Sequence, residues 1–553
     1  GRLERDGSQV IHILRARPRG GATTVTAEPG GGSVFDRARV GDLVRRGRAR
    51  GTIAGVNGDF FNFTSGHPSG IFMREGILVN EPEPGRSSLA ITATGVLAAM
   101  QPLFSGSWEA RDADGRPTGA SGALDGVNRV AERGRETLLY TSDVGAATPS
   151  AGSRFEVTVA LEPPARLQPN VPLTGRVVDA GPRGGHPLAA GQMVISAVGA
   201  DGPGLVAGLP VGARVTISAT LTGLPEDIVS AVGGGPELVR AGIAIPDAGE
   251  AFSDGQLDPA APRAAVGRRR DGTYLLVAVE GPIHGSRGMS NAELATLMVQ
   301  LGAEVAVAMD AGGSASLSTA AGPVLPGSER RVTNAVTLRY DGVSIEPLPR
   351  RRITPNRDGV AERFGPAVSV PRAGVLSVEI TRRRGATRRI TRRRVRATVR
   401  RFRLDPGRLG LKDGPYRVTA RLEPADGSPP SSHSRDIVVD RTLADLRSAP
   451  RRTGQDRRRL DIRFRLNRPA RVTVWIEDAA GRRIRTVQSG RRMRSGEQIV
   501  RWNRRAGGQL REGTHRVVVV ARSGLGTSGL IEAVELPALP VGPAATPLSL
   551  LRP

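Results

Sequence analysis

The chain has 553 residues, too many for one hydrophobic core, and its length predicts three to four domains. It has no cysteine, which excludes disulfides and thiolate metal sites, and it has no run of about 18 apolar residues of the kind a membrane-spanning helix needs. The net charge of +26 rests on arginine (Lys412 is the one lysine) and lies wholly in the C-terminal part: residues 1–340 hold 32 basic against 33 acidic residues, and the remainder holds 47 against 20.

With 72 glycines, 41 prolines and 3% aromatics, the composition predicts many turns and short strands. Strand-like runs come at Thr52–Val56, Ser88–Thr92, Arg154–Leu161, Arg214–Leu221 and Tyr274–Val279, separated by turns rich in Gly, Pro and Asp. One helix is expected over 291–301, where Leu294, Leu297, Met298 and Leu301 fall on one face. Ser290 and Glu293 form its capping box and Gly302 ends it. Residues 1–345 are therefore read as one α+β domain. After Tyr340, "EPLPRRRITPNRDGVAERF" has the texture of a linker. Short alternating runs ("VLSVEI", "YRVTARL", "RDIVV", then "LDIRFRL", "ARVTVWI", "THRVVVVA") predict two immunoglobulin-like β-sandwiches over 346–445 and 446–537. The last residues, 538–553, read as a disordered tail.

The chemistry concentrates late in the first domain. "TYLLVAVEG" is an apolar run ending at Glu280, and "EVAVAMD" is a second ending at Asp310, with the capped helix between them. Strand, helix, strand in about 40 residues predicts a βαβ unit with parallel strands. Parallel strands would bring Glu280 and Asp310 to one crevice at their C-terminal ends, where open α/β sheets bind ligands. Two carboxylates in one crevice suit acid–base or nucleophilic work at a glycosidic or ester bond. The "AGGSAS" after Asp310 leaves backbone N–H groups of Gly312, Gly313 and Ser314 uncovered for an anion, and Ser314 adds a hydroxyl. Asn57, Asp59, Phe60 and Phe61 follow an early strand, with His67 in the next loop. Gly233, Gly234 and Gly235 make another turn. Arg263 starts the strand before Glu280, and Arg331 and Asn334 adjoin a closing strand. His67, His186 and His284 are scattered, so no metal centre is predicted, although Asp59 and Asp310 with backbone carbonyls could hold calcium.

These motifs together resemble the phosphodiester glycosidase family. Its Asn-Gly-x-Phe-Phe is similar to Asn57–Phe61, and its Gly-Gly-Gly-Pro to Gly233–Pro236. Its Arg-Thr-Ala-x-Gly is similar to Arg263–Gly267. A strand ending in Asp-Gly, followed by Gly-Met-Ser/Thr, is similar to Glu280-Gly281 and Gly288–Ser290. The family's Leu-Asp-Gly-Gly-Gly-Ser is similar to Met309–Ser314, and its Arg-x-Val-x-Asn to Arg331–Asn334. The likeness spans residues 50–340. Glu280 stands where aspartate is usual, Ala311 where the first glycine is, and Ala264 where threonine is. The resemblance implies a hydrolase that cleaves the glycosidic bond of sugar 1-phosphodiesters, of N-acetylglucosamine type or of other envelope glycans. It implies Asp310 and Glu280 on the sugar side. Arg263, Arg331 and the Gly312–Ser314 amides would take the phosphate. Asn57, Asp59, Asn334, Gly234 and Gly235 would serve as substrate-binding positions. It also implies no cofactor and a place outside the cytoplasm.

"ITPNRDGVAERF" resembles the entry segment of bacterial immunoglobulin-like modules, and "WNRRAGGQLREGTHRVVVVA" resembles the flagellar-hook-capping type of that fold. The alternative is a non-catalytic scaffold at the cell surface, its basic C-terminal half binding a cell-wall polyanion or polysaccharide through runs such as "RRR" at 350–352, 382–384 and 392–394. Aromatic residues are too few there for sequence-specific nucleic-acid binding.

Overall fold

The computed structural model describes residues 2–5, 9–18, 23–112, 114–150, 152, 154–245, 249–282, 286–325, 329–346, 348, 350–356, 361–383, 385–450, 459–507 and 509–537. The chain divides into two compact units, one of residues 1–342 with 369–372 and one of 343–368 with 373–553. The expected tail at 538–553, and His284, lie outside the described residues. The fold is a mostly β, mixed-sheet α+β domain followed by β-sandwich sheets.

In the first unit the elements that build the site are β1 (Gln9–Ala16), β2 (Thr23–Pro29), β3 (Thr52–Asn57), β4 (Phe72–Arg74), β5 (Ser88–Thr92), β6 (Ile228–Gly233), β7 (Glu237–Arg240), β8 (Arg263–Arg269), β9 (Tyr274–Val279), α1 (Asn291–Gln300), β10 (Ala303–Met309), β11 (Leu317–Thr319) and β12 (Asn334–Tyr340). Strands β1, β9, β8, β10 and β7 lie in that order in one sheet. Two further sheets carry β4–β6–β5 and β11–β3–β12–β2. A separate eight-stranded sheet is built from strands between Leu103 and Thr222.

β9 and β10 run parallel with α1 between them in sequence, as expected, but they are not neighbours. β8 lies between β9 and β10 and is antiparallel to both. The fully apolar runs have another cause. One face of this sheet (Ala264, Val266, Leu276, Ala278, Val307, Met309) packs against Ala54, Val56, Leu89, Val232 and Val336 of the two smaller sheets. The other face (Leu275, Val277, Val279, Ala306, Ala308) packs against Leu294, Ala295, Leu297 and Met298 of α1. Both faces are covered, so every residue of β9 is buried without a parallel neighbour. Each large aliphatic side chain so enclosed contributes about 1.5–3 kcal/mol. Both halves of the Ser290–Glu293 capping box are made, which fixes where α1 begins.

In the second unit the strands used below are β13 (Gly374–Arg382), β14 (Thr387–Val395), β15 (Gly414–Pro424), β16 (Ser431–Val439), β17 (Ala470–Glu477), β18 (Arg483–Met493), β19 (Gly513–Ser523) and β20 (Gly526–Leu536). One sheet contains β16–β15–β13–β14, and a later four-stranded sheet runs β18–β17–β19–β20. The inward residues of that later sheet (Val472, Val474, Ile476, Val517, Val519) close a core with Leu460, Ile462 and Phe464. Among the described residues no helix is long and apolar enough to cross a membrane.

Candidate active site at one sheet edge

Because β9 and β10 run the same way on either side of β8, both end at one edge. Val279 lies opposite Arg263, and Met309 opposite Ala264. Glu280 and Asp310 therefore share that edge but stand two strands apart, about 9–10 Å at the usual strand spacing. The loop after β3 arrives at the same place. Asp310 N–H donates to Gly58 O at 2.9 Å. Asn57, fully buried, donates from Nδ2 to Asp310 O at 2.7 Å and accepts Ser316 N–H at Oδ1 at 3.0 Å. One side-chain amide thus holds both ends of the turn that presents Asp310.

The second carboxylate of the site is Asp59, two residues beyond Asn57. It is 2% exposed, and its Oδ2 accepts Gly70 N–H at 2.7 Å. A Cβ on Gly233 would sit 2.4 Å from that same oxygen, so the glycine of the β6 end is what lets the carboxyl in. Burial pushes the Asp59 carboxyl up to about 8; the Gly70 N–H opposes this, and the charge of Asp310 adds to it. Asp310 is raised to about 6 by burial, against the Ser314 hydroxyl, the Ala311 N–H and the Arg330 charge, which favour its anion. The pair therefore titrates in order. Asp310 loses its proton first, and its negative charge helps keep the proton on Asp59. Between pH of about 6 and 8 the pair holds one charge and one proton, the separation that lets two carboxyls take different parts in acid–base chemistry.

Other expected positions fall elsewhere. Glu280 pairs with His12 of β1 (Nε2 to Oε1 2.5 Å), and its own carbonyl accepts the Ser286 hydroxyl. Arg263 is 3% exposed and turned inward. It donates from Nε to Met289 O, from Nη1 to Gln256 O, and from Nη2 to Leu257 O and Pro259 O, at 2.8–3.0 Å. It pins the segment before β8 rather than facing the Asp59–Asp310 pair. Arg331 is exposed, whereas Arg330 reaches Ser314 Oγ with Nη1 at 3.3 Å. Asn334 is buried and accepts Asp59 N–H at 2.9 Å through Oδ1, so it positions Asp59. Its Nδ2 is buried with no hydrogen-bond partner. Gly235 N–H donates to Ala308 O, the carbonyl against which Gly234 packs, and both glycines join the turn before β7 to β10. The amides of Gly312 and Ser314 donate to Pro262 O and Ala311 O and so are engaged within the chain, and the Ser314 hydroxyl lies beside Asp310. His67 is buried on Ser65 Oγ at 2.7 Å. Among the described residues no three of His, Asp and Glu stand at metal-binding spacing, and Asp59 and Asp310 accept from N–H and O–H donors.

A cavity of about 190 Å³ opens beside the end of β10, lined by Phe60, Phe252, Pro236, Met309, Ala311 and Arg263. Phe60 and Phe252 stack at 5.5 Å, and the Arg86 guanidinium covers Phe252 at 4.5 Å while its charge also acts on Asp59. On the outer side Phe63 is 64% exposed, with Arg330 over its ring at 5.1 Å. The sequence reading passed over Arg330, Phe63, Arg86 and His12. For Arg330 the signal was present: Arg-x-Val-x-Asn spans five residues, and with its Asn at 334 it begins at Arg330. Phe63, Arg86 and His12 reach the site through loop and cross-sheet geometry that spacing does not carry.

The covered sheet brings Asp310 to its edge, and the loop after β3 brings Asp59 to the same place, with Arg330 on the Ser314 hydroxyl. Residues 170–339 match the model of the phosphodiester glycosidase family. Asn57 and Asp59 come from outside that stretch. Among solved structures, a hypothetical protein from Synechocystis is 22% identical with a TM-score of 0.50, over 62% of this chain and 61% of its own, and shares the fold. The chain thus spans under two thirds of that protein's length. A Burkholderia pseudomallei protein (23% identical, TM-score 0.48, 60% and 74% covered) also aligns. So does the catalytic domain of zebrafish N-acetylglucosamine-1-phosphodiester alpha-N-acetylglucosaminidase (14%, 0.33, 61% and 81%). No curated protein matches the sequence.

Proposed function

We propose that the first unit is a hydrolase that cleaves the glycosidic bond of sugar 1-phosphodiesters. The observation that carries this reading is the Asp59–Asp310 pair, one proton and one charge near neutral pH, with Arg330 and the Ser314 hydroxyl beside the charged member. The sugar ring occupies the cavity floored by Phe60 and Phe252. The phosphate lies toward Arg330, whose fork suits a phosphate in two contacts. As the anomeric C–O bond breaks, its electron pair leaves with the phosphate, and positive charge develops on the sugar. A phosphate leaving group needs little protonation, so charge stabilisation dominates. Ionised Asp310 faces that positive charge and then takes a proton from the attacking water, whose hydroxyl joins the anomeric carbon. Asp59 stays protonated, which keeps a second negative charge from forming in the same enclosed space. Glu280, Arg263, Asn57 and Asn334 are positioning residues in this scheme.

The substrate class we infer is an envelope glycan phosphodiester, of N-acetylglucosamine type among others, met outside the cytoplasm or on the cell surface. Residues 346–445 and 446–537 would serve as immunoglobulin-like spacer modules. The test is sugar release from a panel of sugar-1-phosphate diesters by the full chain and by its Asp310→Asn variant. Release that the variant abolishes supports the reading. No release from any member, by protein with intact circular dichroism, overturns it in favour of a surface scaffold.

A further inference from the structure

The second unit has two sheets with arginine-rich outer faces, and their electrostatics differ. On the β16–β15–β13–β14 sheet several arginines are matched with acids. Arg389 pairs with Glu379, Arg392 and Arg421 with Glu423, and Arg417 with Asp436, at 2.9–3.7 Å. That face is a laced, solvated surface, and Arg392 of the 392–394 run belongs to it, whereas Arg393 lies opposite the buried Leu376.

The β18–β17–β19–β20 sheet is built otherwise. Arg471 of β17 lies directly opposite Arg492 of β18 and directly opposite Arg522 of β19. Cross-strand partners point to the same side, so the three side chains form a row across the sheet, all exposed. The row spans about 10 Å at two strand spacings. Among the described residues none of the three has a carboxylate partner, and the next positions on this face are Thr473, Val520 and Gly529. Like charges placed directly opposite destabilise a sheet, and here three adjoin without an acid between them. Four positions along β17 from Arg471, Trp475 is half-buried with the Arg483 guanidinium over its ring at 4.9 Å, and Ile531 is 62% exposed.

We propose that this row is a binding site for a linear, phosphate-bearing glycan. Three guanidinia in one line on an open, flat face suit successive anionic groups of a chain; a small ion would have no enclosing wall there. Phosphate is an anion whose oxygens arginine forks hold in two contacts. A glycan is favoured over nucleic acid because the one aromatic ring of this face is already covered by Arg483, which leaves no free platform for stacking bases. The site is independent of the active-site reading, and its arginines are 21 and 30 residues apart in sequence, so no run of basic residues announces it.

The experiment measures binding of the full chain to poly(glycerol phosphate), to neutral dextran and to a dT oligonucleotide across a salt series. For the wild type we expect salt-dependent binding of poly(glycerol phosphate) and none of dextran. The triple variant Arg471→Gln, Arg492→Gln, Arg522→Gln should bind poly(glycerol phosphate) at least tenfold more weakly, with a shallower salt dependence. A control triple on the laced face, Arg392→Gln, Arg417→Gln, Arg421→Gln, should change binding less than twofold. Thermal unfolding without ligand should be unchanged or raised in the row variant, since repulsion is removed; should that variant fail to fold, the single Arg492→Gln takes its place with a smaller expected loss. Equal loss in both triples, or no loss in the row variant, overturns the proposal. Tighter binding of the oligonucleotide, lost with the row, also overturns it and makes the face a nucleic-acid surface.

Discussion

The two units use charge in opposite ways. In the first, near neutral overall, the decisive groups are enclosed: Asp59, Arg263 and Asn334 are 2%, 3% and 1% exposed, and hydrogen bonds tie each to the chain around it. In the second, which carries the excess of arginine, many guanidinia stand on outer sheet faces, where solvent and salt weaken pairwise interactions, although Arg504 is fully buried on the Arg511 and Pro537 carbonyls. Enclosure changes the chemistry of a carboxyl, since burial, with the charge of Asp310 adding to it, pushes Asp59 up to about 8. Display makes arginine available to a partner. On the two readings we propose, acid–base work belongs to the first unit and adhesion to the second.

The sharpest way to break this contrast is to remove the enclosed charge. Asp310→Asn should lower kcat at least 10³-fold while near-ultraviolet circular dichroism stays that of the wild type. Asp59→Asn should cost about 10²-fold and change the pH profile. The wild type should give a bell in kcat/KM, with limbs near pH 6 and 8 from Asp310 ionising and Asp59 losing its proton. The variant should keep the acid limb and lose the basic one. Its stability should move in a defined direction too. Asp59 holds its proton more tightly folded than unfolded, so its contribution is full below its unfolded value near 3.8 and is lost as pH rises toward 8. Asp59→Asn should therefore unfold at a higher temperature than the wild type at pH 9, and the gain should shrink at pH 5. At the rim, Arg330→Gln should raise KM about tenfold, and Arg331→Gln should stay within twofold. Equal effects of the two would remove Arg330 from the phosphate side.

How much of this was legible follows from where each signal lives. The strand ends at Glu280 and Asp310, the capped helix and the Asn57–Asp59 loop are local patterns, and the fold keeps them in place. Which strands are neighbours is not local. The βαβ expectation missed that β8, which precedes β9 in the chain, enters the sheet between β9 and β10, and this shifts the partner of Asp310 from Glu280 to Asp59. Asp59 itself looked like a ligand to sugar hydroxyls, because nothing in "VNGDFF" reveals that Gly70 and Gly233 will enclose it. Arg263 looked like a phosphate ligand because an arginine at a strand start is read as available. The Gln256–Pro259 carbonyls that bind it lie only a few residues earlier, but their direction depends on the bend of that segment. Charge runs misled in the opposite sense: "RRR" at 392–394 is conspicuous and partly matched with acids, and the unmatched row is assembled by register from three strands.

Glu280 gives the finest test of the comparison, with the smallest expected effect. By sequence it is the second carboxylate of the site; by geometry its Oε1 is engaged with His12 across β1 and β9, in a region 6% exposed. The same corner is sewn by Ser286, which accepts Val10 N–H and donates to Glu280 O. Glu280→Gln keeps the size and one hydrogen-bonding oxygen for His12, and removes only the charge. If Glu280 positions the end of β9, the variant should retain activity within about fivefold, with the pH bell unmoved, because neither limb belongs to it. A loss matching that of Asp310→Asn would instead mean that the reacting sugar reaches across two strands to this carboxyl. The working pair would then be Glu280 and Asp310, and the protonated Asp59 would be a structural group whose enclosure serves only to hold the Asp310 turn in place.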